Sequence, residues 1–255
     1  MKIQGPLVID VSLWDDHLNV KELVDGGVVS VIVGLYRQTE GGKVVLNSNC
    51  RRICDQVAAE GKMLMQAYFY VHPEQDPIKQ ADWFTNIIFV SGYPVRFIWA
   101  DCEDYSAPMT STARALSYQR FTERIKANFP HSGVYTNSSF IYDYAPNMNK
   151  WLGSYPAWVA HYGRQPSKKI MMTWEQLKTD WLPNYNIFLG LPNYNIFLAP
   201  GQTNVVGHQF TGDRCLLPGV YSKYSYLPWW PNKGRLPLDV SVFTQSFIDS
   251  IRIKP

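Results

Sequence analysis

Eight short apolar runs punctuate the chain: PLVIDVS (6–12), VVSVIVGLY (28–36), MLMQAYFYV (63–71), RFIWADCE (96–103), SGVYTN (132–137), PAWVAHY (156–162), VVGHQF (205–210) and LDVSVF (238–243). Most are dense enough in apolar residues to read as strands buried on both faces, as happens when helices cover a parallel sheet. The segments between the early runs agree. CRRICDQVAAEG (50–61) has helical spacing and a glycine stop. DPIKQADWFTNII (76–88) puts Asp76 and Pro77 at cap and first-turn positions, and STARALSYQRFTERIKANF (111–129) is amphipathic. About eight such strands suit a closed (β/α) barrel better than an open doubly wound sheet. Little helix lies between the fifth and eighth runs, so the last connections are expected to be irregular.

No Gly/Ser or Pro linker divides the 255 residues, a length that one α/β barrel can occupy, so one domain over 1–255 is expected. Two insertions interrupt it, near 164–204 and 221–237. The first contains LPNYNIFLG (182–190) followed at once by LPNYNIFLA (191–199). Two copies are too few for a solenoid, and a duplicated surface loop is the simpler reading beside a two-stranded flap at the cleft. The second, YSKYSYLPWWPNKGRLP, would line a groove or cover the barrel rim.

A net charge of +3 without a Lys/Arg block argues against nucleic acid as a partner. Aromatic residues make up 15% of the chain, a surplus that places some polar-tipped rings at a surface or cleft suited to flat ligands such as sugars. Cys50 and Cys54, four apart on a helical segment, are badly placed for a disulfide, and Cys102 and Cys215 form no CxxC pair. Free buried thiols are expected. No His cluster has metal spacing, and no metal or cofactor is called for. No run is long enough to span a membrane, and MKIQGPLVIDVS lacks the apolar core of a signal peptide, so synthesis in the cytoplasm is the expectation.

FIWADCEDYS (97–106) passes from apolar to acidic within a few residues. Burying a carboxylate is costly unless it is paired or protonated. Strand side chains alternate, so Asp101 and Glu103 share a face, roughly 7 Å apart, and Cys102 points to the helix layer. Two such carboxyls raise each other's pKa, the equipment of a general acid beside a charged stabiliser. Asp10 ends the first strand and Asp239 lies early in the eighth. These strands are neighbours in a closed barrel, so the two acids can converge opposite Asp101 and Glu103 at the C-terminal rim, where barrel active sites lie. There are ordinary alternatives: a cap or loop role for Asp10, and a structural ion pair of Asp101 and Glu103 with Arg37 or Arg96. Asp104 is expected to face helices or solvent.

VIDVSLW, QAYFYVH, FIWADCE, GVYTN, YPAWVAHY, GHQF and PLDVSVF, in this order, resemble the strand motifs of glycoside hydrolase family 25, the Chalaropsis-type lysozymes or N-acetylmuramidases. The match runs from about residue 6 to 245. The resemblance implies a flattened TIM-like α/β barrel of five βα units followed by three less regular strands. It also implies cleavage of the β-1,4 bond between N-acetylmuramic acid and N-acetylglucosamine. Glu103 matches the general acid, Asp101 the group that orients the 2-acetamido substituent or stabilises charge at the sugar carbon, and Asp10 and Asp239 the acids that position water and tune that pair. Tyr68, Tyr70, Tyr135, Trp158 and Gln209 fall in matching motifs and would line the groove, with Tyr68 and Tyr70 on one strand face and Phe69 on the other. The partner implied is the peptidoglycan glycan strand, met by a monomer at the bacterial cell wall. A holin pore or a virion component would deliver a phage-encoded enzyme of this kind. The family's WQY is HQF here, with His208 and Phe210, and its Asp-Leu-Asn is Asp239-Val240-Ser241. A chitinase-like N-acetylhexosamine hydrolase is the nearest alternative, but the additional acid such enzymes carry two residues before Asp101 is Trp99 here. A catalytically silent carbohydrate-binding barrel is the other.

Overall fold

The structure, a computed structural model, describes residues 5–15, 17–38, 44–162, 167–181, 198–212, 214–222 and 234–252. The tandem copy therefore lies outside the described residues over 182–197, as do residues 223–233 of the second insertion.

The eight expected runs form the eight strands of a closed barrel: β1 (Leu7–Val11), β2 (Val28–Val33), β3 (Leu64–Tyr70), β4 (Val95–Asp101), β5 (Ser132–Asn137), β6 (Ala157–Ala160), β7 (Val205–Thr211) and β8 (Asp239–Phe243). Going round the barrel the order is β1, β8, β7, β6, β5, β4, β3, β2. Pairing is parallel everywhere except at β8, which runs antiparallel to both β1 and β7. This departs from a purely parallel sheet. The alternation of buried side chains reads the same along a strand in either direction, so the pattern in LDVSVF carries no chain direction.

Five helices follow the expected alternation: α1 (Val20–Asp25), α2 (Ser48–Glu60), α3 (Pro77–Ser91), α4 (Ser111–Asn128) and α5 (Ser138–Tyr144). Local chemistry sets their ends. The side chains of Asn47, Asp76 and Thr110 accept the first free N–H groups of α2, α3 and α4, and Pro77 opens α3. Gly61 and Gly92 stop α2 and α3 in the left-handed conformation that glycine adopts without steric cost.

Two hydrophobic layers result. Outside the barrel, Phe69, Phe84, Phe121 and Tyr36 pack between strands and helices, Tyr36 stacking on Phe69 at 4.0 Å. Inside it, Val8, Ile32, Phe97, Trp99, Trp158 and Phe243 form a floor. A last helix, α6 (Gln245–Arg252), absent from the sequence reading, seats Phe247, Ile248 and Ile251 against that floor. The antiparallel course of β8 makes this possible, because it delivers the chain to the barrel bottom just before α6 begins. The floor's polar groups are matched: Trp99 Nε1 donates to Gln66 Oε1 at 2.7 Å, Gln66 Nε2 to Ser30 Oγ at 2.9 Å, and Trp158 Nε1 to Ser241 Oγ at 3.0 Å. Cys50, Cys54, Cys102 and Cys215 are buried free thiols, as expected. No helix among the described residues is long and apolar enough to cross a membrane.

Candidate active site

The four acids meet at the barrel mouth. Parallel strands end at this rim, so Asp10 at the end of β1 and Asp101 at the end of β4 arrive there directly. Asp239 arrives because β8 is reversed, and its register sets it opposite Asp10. Had β8 run parallel, the start of the strand would lie roughly 13 Å away at the barrel bottom. Glu103 lies just beyond β4, where the ladder persists: Cys102 N donates to Tyr135 O at 2.9 Å and Thr136 Oγ1 to Cys102 O at 2.8 Å. Cys102 faces the helix layer, as parity requires.

Asp10, Asp101, Glu103 and Asp239 line a cavity of about 170 Å³. Tyr68, Tyr135, Trp158, Gln209 and Tyr162 complete it. All the predicted site residues except Tyr70 therefore converge. Tyr70 packs toward the sheet–helix layer, its ring edge-on to His72 at 5.3 Å, and Phe69 lies in that layer as expected. Trp158 is only 2% exposed, so it forms the cavity's base rather than an open stacking face. Gly34 leaves room for Tyr68: a Cβ there would sit 2.7 Å from the phenol oxygen.

Gln209 organises one wall. Its Oε1 accepts the hydroxyls of Tyr135 and Tyr162, at 2.7 and 2.6 Å, and its Nε2 donates to Asp10 Oδ2 at 2.9 Å. On the other wall, Asn137 Oδ1 caps α5 by accepting Phe140 N–H at 2.8 Å, which turns its Nδ2 to Glu103 Oε2 at 3.2 Å and to Tyr105 Oη at 2.7 Å. Sequence reasoning missed Tyr162 and Asn137. Tyr162 continues the two-residue step from Trp158, and Asn137 stands where a helix cap belongs, so both left a local signal.

Electrostatics follow from crowding. Burial raises the Asp10 pKa well above the usual carboxylate range, Asp239 pushes it further, and Gln209 opposes this. Burial also raises Asp101, with Glu103 and Asp10 adding to it. Burial lifts Glu103 to about 7, against the opposing hydrogen bond from Asn137. No ion pair to Asp101 or Glu103 occurs among the described side chains, of which Arg37 is not one, and Arg96 makes none. Asp101 Oδ1 is buried with no hydrogen-bond partner among the described residues. Asp104 is buried outside the cavity lining: its Oδ1 accepts the N–H and hydroxyl of Ser106 at 2.8 and 2.7 Å, and its backbone N–H donates to Tyr118 Oη on α4 at 3.0 Å. His208 is fully buried, and burial lowers its pKa to about 3, so it stays neutral. Outside the cavity, His72, Glu74 and Asp104 bring one ligand atom each within 4.8 Å of one another, the arrangement among the described residues that most resembles a metal-binding group.

A barrel mouth that holds a carboxylic acid protonated near neutrality, beside further carboxyls, has the makings of an acid catalyst for glycosidic bonds. The family model for glycosyl hydrolases family 25 matches residues 9–182, and the chain belongs to that family. It is 29% identical over 87 residues to a probable GH family 25 lysozyme 2 of Dictyostelium discoideum, an alignment covering 32% of this chain and 40% of that protein. Its fold resembles that of the Clostridium perfringens spore cortex lytic enzyme SleM, with a TM-score of 0.69 at 20% identity over 98% of this chain and 70% of the other. It also resembles a lysozyme of Streptomyces coelicolor, with a TM-score of 0.63 at 15% identity over 98% and 97% of the two chains.

Proposed function

We propose that this protein is a peptidoglycan hydrolase, an endo-N-acetylmuramidase that cleaves the β-1,4 bond between N-acetylmuramic acid and N-acetylglucosamine. The observation that carries the reading is the convergence of four carboxyls from β1, β4 and β8 on one cavity, with Glu103 protonated up to about pH 7. Glu103 Oε2 is engaged by Asn137, so the transferable proton sits on Oε1. That proton passes to the glycosidic oxygen as the bond to the anomeric carbon breaks. Water supplies a hydroxyl to that carbon, and its remaining proton returns to a carboxylate of the cluster. Asp101, which lines the same cavity beside Glu103, accepts the N–H of the substrate's 2-acetamido group. Asp10, held by Gln209, and Asp239 beside it position the water and tune the acid pair. Tyr68, Tyr135 and Tyr162 keep their hydroxyl protons, because burial raises all three pKa values. Tyr135 and Tyr162 direct theirs to Gln209 and offer oxygen lone pairs to sugar hydroxyls, whereas Tyr68 can donate to a sugar oxygen.

Action at the bacterial cell wall belongs to the same reading, as does a holin pore or virion component as the means of delivery. Its support is the nature of the substrate, a polymer outside the membrane, together with a fold resemblance to the CTP1L endolysin at a TM-score of 0.58. The test is clearance of purified cell walls with mass analysis of the fragments. New reducing ends on muramic acid support the proposal. Chitin cleavage without wall cleavage, or wall binding without any cleavage, would refute it.

A further inference from the structure

Beside the acid cavity lies a second, larger one of about 460 Å³, and the two share Asp10, Tyr68 and Asp239. They therefore form one continuous groove. The outer part has its own lining, in which Trp14 and Lys169 stand out. Trp14 is 79% exposed, far more than a large apolar ring ordinarily is. A tight turn holds it there: Ser12 N–H donates to Asp15 Oδ2 at 2.7 Å, Trp14 N–H to Ser12 Oγ at 3.3 Å and Asp15 N–H to Ser12 O at 3.2 Å. Lys169 is exposed and, among the described residues, is the sole cation of this lining and forms no ion pair with a carboxylate.

The charges are graded along the groove. Asp10 and Asp239 stand at the junction with the inner cavity, Asp15 is tied to its own turn, and the ammonium belongs only to the outer part. A sugar ring lying there has an aromatic face to rest on, hydrogen-bond acceptors at its inner end and a positive group for an acidic substituent. We infer that the outer cavity is a subsite for a hexosamine bearing a carboxylate, with Trp14 against the ring and Lys169 against the acid. The inference rests on the peptidoglycan reading above and deepens it. Chitin carries no acid, whereas muramic acid carries a lactyl arm whose carboxyl is either free or extended by a peptide stem with its own carboxylates. Lys169 thus discriminates between two polymers whose backbone linkage is the same.

The test is calorimetric binding with cleavage blocked by Glu103→Gln. The probes are a peptide-free GlcNAc–MurNAc tetrasaccharide, its lactyl methyl ester, the same tetrasaccharide bearing an L-Ala–D-Glu stem, and chitotetraose. Adding Lys169→Met weakens the free acid or the stem-bearing probe about fivefold, and high salt abolishes the difference. The ester and chitotetraose change by less than about twofold. A response to the stem-bearing probe alone assigns the contact to the stem's acid. Trp14→Ala weakens every probe by about tenfold. An unchanged affinity for both acidic probes, or an equal loss across all four, would overturn the assignment to Lys169. No effect of Trp14→Ala would place the sugar elsewhere and overturn the subsite. Wall digestion by the parent enzyme, scored separately, tests the reading beneath: failure to release muramic ends sinks that reading, whereas failure of the lysine contrast sinks only this one.

Discussion

The floor and the mouth of the barrel are built by the same strands, a few residues apart, and they obey opposite rules. On β4, Trp99 points inward, is fully buried and finds its partner in Gln66. Two residues on, Asp101 also points inward, and its Oδ1 has no donor among the described residues. On β1, Val8 sits in the apolar floor and Asp10 in the carboxyl cluster; on β8, Phe243 and Asp239 divide the same way. The floor satisfies its polar atoms and packs its rings. The mouth sets like charges together and raises their pKa values, which opposes folding wherever those groups must ionise. The comparison teaches that the stability holding this site together comes from residues one or two strand steps below it.

The largest expected effect is at the mouth. Glu103→Gln should lower wall-clearing turnover by about 10²–10⁴-fold, the usual worth of a general acid, with the fold retained by circular dichroism. The same variant should be more stable than its parent. The folded-state pKa of Glu103, about 7, lies above its ordinary value of 4.5, so the native protein holds the extra proton and its stability falls as pH rises through that window. Denaturant titrations should show Glu103→Gln gaining roughly 1–3 kcal/mol on the parent between acid and neutral pH. A variant no more stable at pH 7.5 than at pH 4.5, relative to the parent, would break the contrast.

Next comes the floor. Trp99→Ala opens a cavity and orphans Gln66 Oε1, so it should cost about 3–5 kcal/mol in chemical unfolding, with activity lost only through unfolding. Asp239→Asn should act oppositely. It removes the neighbour that pushes Asp10 upward, so stability near neutral pH should rise by about 1 kcal/mol while turnover falls roughly tenfold. The smallest effect is expected at Asn137. Asn137→Ser keeps a capping oxygen for α5 but loses the donor to Glu103. Melting temperature should barely move, while the alkaline limb of the pH–activity profile shifts upward, because the hydrogen bond that lowered the Glu103 pKa is gone. A melting shift without a limb shift would reduce Asn137 to a cap.

Strand positions, the inward pair Asp101 and Glu103 and the outward Cys102 could all be read from residue order, because a two-residue alternation is a local property. The cap at Asp76 was equally local. The readings at Tyr70 and Trp158 show where parity runs out. Tyr70 has the right parity but stands at the strand end, where its ring folds over His72 toward the helices. Trp158 has the right face but is covered by Tyr135 at 4.3 Å and so becomes a base. Neither outcome depends on the residue's own segment.

What the residue order settled, then, was which side chains face the barrel and which acids stand near strand ends, since the alternation and the capping rules act within a few bonds. The direction of β8, the register that sets Asp239 directly opposite Asp10, and the bridging of Gln209 to Asp10 across 199 positions were decided only by closure of the barrel. A strand pattern is unchanged by reversal, and a contact between distant segments exists only once the packing of every strand between them has fixed where each end lies.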